Sequence, residues 1–125
     1  MERGIFSAEG GWAASVFLGS VISLSVGNVL LKVGMDRWGA AGAGLPLAGG
    51  VVLLAVQFLG MLVLFRYGWP VSVVVPLLGL NHALTALLGR LWLRETVDGW
   101  RWAGIALVVV GIFMISAPWL SRKAP

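Results

Sequence analysis

Six side chains able to carry charge or hydrogen-bond strongly stand inside stretches that are otherwise apolar: Asn28, Lys32, Gln57, Asn81, His82 and Thr85. One cation among neutral donors and acceptors suits capture of an anionic headgroup, with Lys32 as the phosphate contact and Asn28, Gln57, Asn81 and His82 completing a polar lining. On a helical wheel Asn81, His82 and Thr85 fall within an arc of about 100° and line one surface. The same groups also serve as hydrogen-bonding glue between helices, worth about 0.6 to 2 kcal/mol per bond, with Lys32 snorkelling to the membrane edge. Other chemistry is poorly provided for. With one histidine, no cysteine and no paired acids inside the apolar stretches, there is no nucleophile and base set, and no metal or cofactor site is expected. The glycines form no phosphate loop in a strand and helix context. Enzyme activity is not expected.

The elements that must position these residues follow from composition. Of the 125 residues 59% are hydrophobic and 11% charged, more apolar surface than a water-soluble domain of this length hides. Apolar runs cover residues 10–31, 45–65, 67–89 (His82 excepted) and 102–121. Each approaches the roughly 20 residues a helix needs to cross hydrocarbon. All nine Lys and Arg and all five Asp and Glu lie near or beyond the ends of these runs, as expected where a mid-bilayer charge costs roughly 2.5 to 3.5 kcal/mol. Six of the seven tryptophans (Trp12, Trp38, Trp69, Trp92, Trp102 and Trp119) mark the same boundaries as an interfacial belt, and Trp100 stands beside one of them. The pattern predicts a single domain over residues 1–125 with helices at about 12–33, 47–66, 71–93 and 100–119, both termini on one side. Pro46, closing the Gly/Ala-rich turn of residues 39–46, is placed to open the second helix.

The beginning of the chain carries two acids and a first apolar run too long for a cleavable leader, so none is expected. The sequence pI of about 10.8 does not indicate nucleic acid, because the basic residues are scattered along interfaces; anionic lipid is the expected counter-charge. Counted by side, Arg3, Arg66, Arg122 and Lys123 balance Lys32, Arg37, Arg90, Arg94 and Arg101 too evenly to fix orientation.

Lipid gives helices no hydrophobic reason to associate, so small residues mark where backbones meet. Ser15, Gly19, Ser23 and Gly27 form a ladder at four-residue steps; Gly104, Leu107 and Gly111 form a second stripe on the last helix. One seam is enough for packing within a bundle, and the second predicts a dimer interface. Pro76, five residues before Asn81, removes a helix donor and predicts a bend. No Asp or Glu lies inside a span, so proton coupling through a buried carboxylate is not expected.

Residues 21–35 (VISLSVGNVLLKVGM) and 69–116 resemble the small four-helix, EamA-like members of the drug/metabolite transporter superfamily. Within it they are most similar to the paired small subunits of the flippase that moves 4-amino-4-deoxy-L-arabinose phosphoundecaprenol across the bacterial inner membrane. The residues that carry the resemblance are Gly27 and Lys32, the segment Pro76, Leu78, Leu80, Asn81, then Glu95, Arg101-Trp102 and the glycines of the last helix. His82 departs from the large apolar residue expected after that Asn. Against the related small multidrug resistance transporters, Leu24 falls where their proton-coupled glutamate belongs.

The resemblance implies an all-α half-transporter bundle of four spans in the bacterial inner membrane, acting as a homodimer or as a heterodimer with a paralogous small subunit. Its substrate would be a polyprenyl-phosphate-linked sugar, with Arg90 and Glu95 at the end of helix 3 joining the lining residues near the phosphate. Two other readings stay open: a small multidrug or metabolite exporter, and a non-transporting membrane subunit that partners a glycan-assembly enzyme.

Overall fold

The computed structural model describes the backbone of residues 10–121 and the side chains of residues 11–118. Arg3, Arg122, Lys123 and the Trp119 side chain, used above for orientation and for the belt, lie outside them. Five helical segments follow in order: α1 (Gly10–Asp36), α2 (Gly44–Arg66), α3 (Val71–Leu78), α4 (Asn81–Trp92) and α5 (Gly99–Ser121). The described residues contain no strand. Four spans, Gly11–Asp36, Gly44–Arg66, Val71–Trp92 and Gly99–Pro118, are long and apolar enough to cross a bilayer. The protein is thus an all-helical, multi-pass membrane protein, and an even number of crossings returns the chain to its starting side. Large side chains such as Leu59, Leu62, Leu91, Phe113 and Met114 are exposed because their solvent is hydrocarbon.

The most extensive contact joins α1 to α2. Its register comes from glycines too close to the opposite helix to carry a side chain. A Cβ at Gly50 would stand 2.9 Å from the Gly27 carbonyl oxygen and 2.8 Å from Leu31; one at Gly34 would meet Leu47 at 2.5 Å; one at Gly60 would overlap the Ser20 hydroxyl. Ser20 faces Gly60, Gly27 faces Gly50 and Gly34 faces Leu47, so the helices run antiparallel. The predicted four-residue ladder is not this seam. Gly27 packs, but Gly19 has no neighbour and Ser15 is exposed. Four-residue steps drift by about 40° each around a helix, whereas the seven-residue steps of Ser20, Gly27 and Gly34 drift by only about 20°.

At the end of α2, Gly68 takes φ +84°. Its N–H donates to the Phe65 carbonyl at 3.0 Å and the Trp69 N–H to the Leu64 carbonyl at 3.1 Å. This closes a Schellman turn that only glycine enters without strain. It also brings Trp69 against the core of Ala13, Val21, Leu64, Val74 and Leu78. Pro46 sits within the first turn of α2, where its missing N–H costs nothing.

The predicted third helix of residues 71–93 is in fact two. Pro76 cannot donate to Ser72, and three tight turns follow: Gly79 N–H to Pro76 O at 2.8 Å, Leu80 N–H to Leu77 O at 3.0 Å and His82 N–H to Gly79 O at 3.0 Å. The α pattern resumes with the Leu84 N–H on the Leu80 carbonyl. A Cβ at Gly79 would lie 2.8 Å from the Pro76 carbonyl oxygen and 3.1 Å from Ile112 of α5, so the break is also where α5 packs. Beyond α4 the chain turns through Arg94, the one described non-glycine residue at positive φ (+53°).

Candidate functional site

One hydrogen bond ties the start of α4 to α1. The hydroxyl of Ser25, which is fully buried, donates to the Val21 carbonyl at 2.9 Å and also lies 3.4 Å from the Asn81 carbonyl oxygen at the start of α4. As the first and third of four successive spans, α1 and the span that ends in α4 run parallel. Lys32, seven residues after Ser25, stands about 10 Å nearer the membrane edge. Between these two levels α1 and α4 carry a sparse series of polar groups, a lane in sequence position from Asn81, deep in the span, to Lys32 near its end.

Lys32 is half exposed and bound to a neighbour the sequence reading did not single out. Its Nζ lies 2.5 Å from Asp36 Oδ1 one helical turn on, with the two side chains 51% and 53% exposed. Glu95 is held by the backbone: its N–H donates to the Gly89 carbonyl at 3.1 Å, an oxygen that also accepts from the Leu93 N–H at 3.1 Å. The Glu95 carboxylate folds over Gly89 so closely that an added Cβ there would stand 3.1 Å from Oε2. Glycine at position 89 lets an acid reach the flank of α4.

Asn81 and Gln57 are buried at 7% and 4% exposure, and neither side-chain amide is hydrogen-bonded among the described residues. Among the described residues two hydroxyls, Thr85 Oγ1 and Ser116 Oγ, are buried without a partner. Thr85 lies one turn along α4 from Asn81, on the way to Gly89. By the α1–α2 register Gln57 is level with the Ser20–Ser25 stretch of α1. Asn28, one turn from Lys32, is half-buried. His82 parts company with Asn81 and Thr85: it is exposed, at the same depth, on the outside of the chain. Arg90 is likewise exposed. Of the eight predicted lining residues, the structure buries Asn81 and Gln57 and the Thr85 hydroxyl, pairs Lys32 with Asp36, lays Glu95 over Gly89, and puts His82 and Arg90 on the surface.

On α5, Gly104 and Gly111 have nothing within 4 Å of an added Cβ, and Leu107 is 73% exposed. This stripe packs on none of the described residues.

Sequence reasoning missed Asp36, Ser25 and Ser116. The first was legible as an acid one turn after Lys32. The two serines were not, because a small polar residue in an apolar helix gives no sign of which neighbour it meets.

The EamA-like transporter family matches residues 44–117, from the start of α2 into the last turns of α5. The chain belongs to this family. Among curated relatives, the probable 4-amino-4-deoxy-L-arabinose-phosphoundecaprenol flippase subunit ArnE of Pseudomonas savastanoi pv. phaseolicola is 32% identical over 108 residues, 80% of this chain and 93% of the relative. The protein of the same description from Pseudomonas syringae pv. syringae is 35% identical over 96 residues, 72% of this chain and 87% of the relative. One from Pseudomonas fluorescens is 33% identical over 99 residues, covering 73% and 85%. No solved structure matches the chain significantly.

Proposed function

We propose that the protein is one half of an inner-membrane flippase that moves a polyprenyl-phosphate-linked sugar, of the kind named for its curated relatives, from one leaflet to the other. The observation that carries this reading is Lys32, a half-exposed cation at the interfacial end of a lane whose deeper groups, Asn81, Thr85 and Gln57, have unused hydrogen-bonding capacity. A phosphate meets Lys32, the sugar lies toward the amides, and the prenyl tail stays in lipid outside the seam. Catalysis has no part in it.

The lane needs a second chain. Four spans enclose little volume, and His82 stands exposed deep in the bilayer, where a polar side chain is costly unless protein or water covers it. The open stripe of Gly104, Leu107 and Gly111 offers the close approach that joins two copies, or this chain and a paralogous small subunit.

The test is transbilayer movement of a polyprenyl-phosphate sugar in proteoliposomes holding the full chain, with its paralogous partner where one is required. Lys32→Gln is expected to lower the rate by about tenfold or more, the scale of losing one charge-assisted contact. An unchanged rate removes Lys32 from the site and sinks the reading.

A further inference from the structure

The two ends of α1 lie at opposite faces of the bilayer. Roughly 20 residues separate Trp12 from Lys32, about 30 Å of helix and so about the thickness of the hydrocarbon core. At the end away from Lys32, Trp12 and Tyr67 bring their rings together, with centroids 4.5 Å apart and planes tilted by 59°. We infer that this aromatic pair, with Arg66 beside it in the chain, is a second headgroup station: the rings stack on the sugar and the Arg66 guanidinium takes the phosphate at the opposite face of the membrane. This rests on the substrate being a lipid with a phosphate-linked sugar, and it adds a site remote from the Lys32 lane.

A membrane belt asks only that amphipathic rings stand in the headgroup layer, each by itself. Trp38, Trp92 and Trp100 do so; all three are exposed and have no ring partner among the described residues. Trp12 and Tyr67 are drawn into contact and still remain 38% and 65% exposed, so the pairing leaves ring surface uncovered. The C–H groups on the flat side of a sugar ring carry a slight positive charge, which suits the negative face of an aromatic ring. Two rings held at an angle offer such a face beside a cation.

Stacking is most effective where the ligand does not have to order the rings. Tyr67 caps α2: its N–H donates to the Val63 carbonyl at 3.2 Å, and the Gly68 turn at φ +84° sets where the chain leaves. Trp12 is anchored through its neighbour Ala13, which is buried in the core that Trp69 also covers. Arg66 closes the last turn of α2, is exposed, and has no ion pair among the described residues. Lys32, by contrast, is held by Asp36. The two ends therefore hold a headgroup differently, one through a paired cation and buried amides, the other through an unpaired cation and ring faces.

The experiment is photolabelling of the full-length protein in nanodiscs by a short-chain prenyl-phosphate hexose with a diazirine on the sugar, the labelled segments being located by mass spectrometry. Label is expected in two places, around Lys32 and around Trp12 and Tyr67. In the unaltered protein, excess unlabelled glycosylated lipid should suppress the second label about fivefold better than the same prenyl phosphate without its sugar, the scale of one ring contact. Tyr67→Leu or Trp12→Leu should cut that label by a similar factor, Tyr67→Phe should keep it, and Trp100→Leu, at the Lys32 end, should leave it unchanged. Label around Lys32 alone overturns the inference and leaves the flippase reading standing; label in neither place overturns both. Equal suppression by the two competitors, or label at Trp12 and Tyr67 that survives both leucine substitutions, means lipid partition into the aromatic belt only and overturns the inference as well.

Discussion

The α1–α2 pair and α5 are both glycine-bearing apolar helices of similar length, yet they do opposite things with their glycines. At Gly34, Gly50 and Gly60 an added methyl would run into the neighbouring helix; at Gly104 and Gly111 it would meet nothing. Burial follows the same division: 28% of the apolar stretch of α1 is buried inside the chain and only 11% of that of α5. In lipid, close backbone contact is a main source of helix association, so an unfilled small-residue stripe is association not yet used. The first seam holds one chain together, and the second is available to another.

The sharpest way to break this comparison is to fill both seams. Gly50→Leu drives a branched side chain into the Gly27 carbonyl and Leu31. Overpacking of this kind against backbone is expected to cost about 3 kcal/mol or more. The check is loss of the folded band and a fall in unfolding midpoint in detergent. Gly111→Leu is expected to leave the single chain's midpoint within about 0.5 kcal/mol of the original, as for surface substitutions generally. It should nonetheless lower the dimer fraction seen by crosslinking or single-molecule photobleaching by about fivefold or more. If Gly111→Leu unfolds the chain while Gly50→Leu is tolerated, the assignment of the two seams is reversed.

The spans were legible in the sequence because their cause is simple: runs of apolar residues bounded by Lys, Arg and Trp. The break in the third span was half legible. Pro76 announced lost helix donors, but the position of the break depends on Gly79 meeting Ile112 from α5, a contact without local signature. The small-residue ladder shares only Gly27 with the α1–α2 seam, because a four-residue step looks aligned over one turn and drifts over three. In the site, Lys32, Asn81, Thr85 and Glu95 were recognisable as polar groups where few belong. Grouping His82 with Asn81 failed because neighbours in a helix differ by about 100°, enough to put one in the seam and the other outside.

The smallest effects separate packing from binding along the lane itself. Ser25 of α1 and Thr85 of α4 both carry buried hydroxyls, but among the described residues only Ser25 has acceptors. Ser25→Ala removes a bond shared between Val21 and Asn81, and such bonds between membrane helices average about 0.6 kcal/mol; a midpoint shift of that size is expected. Thr85→Val keeps the shape and removes a hydroxyl that bonds to nothing, so the expected stability change is zero or slightly favourable. If the lane exists only to hold helices together, Thr85→Val is silent in every assay. If it receives a sugar, the same substitution weakens binding of the prenyl-phosphate sugar by about fivefold, the scale of one neutral hydrogen bond, while leaving the fold as stable as before. Stability retained with affinity lost is a combination that helix packing alone does not produce.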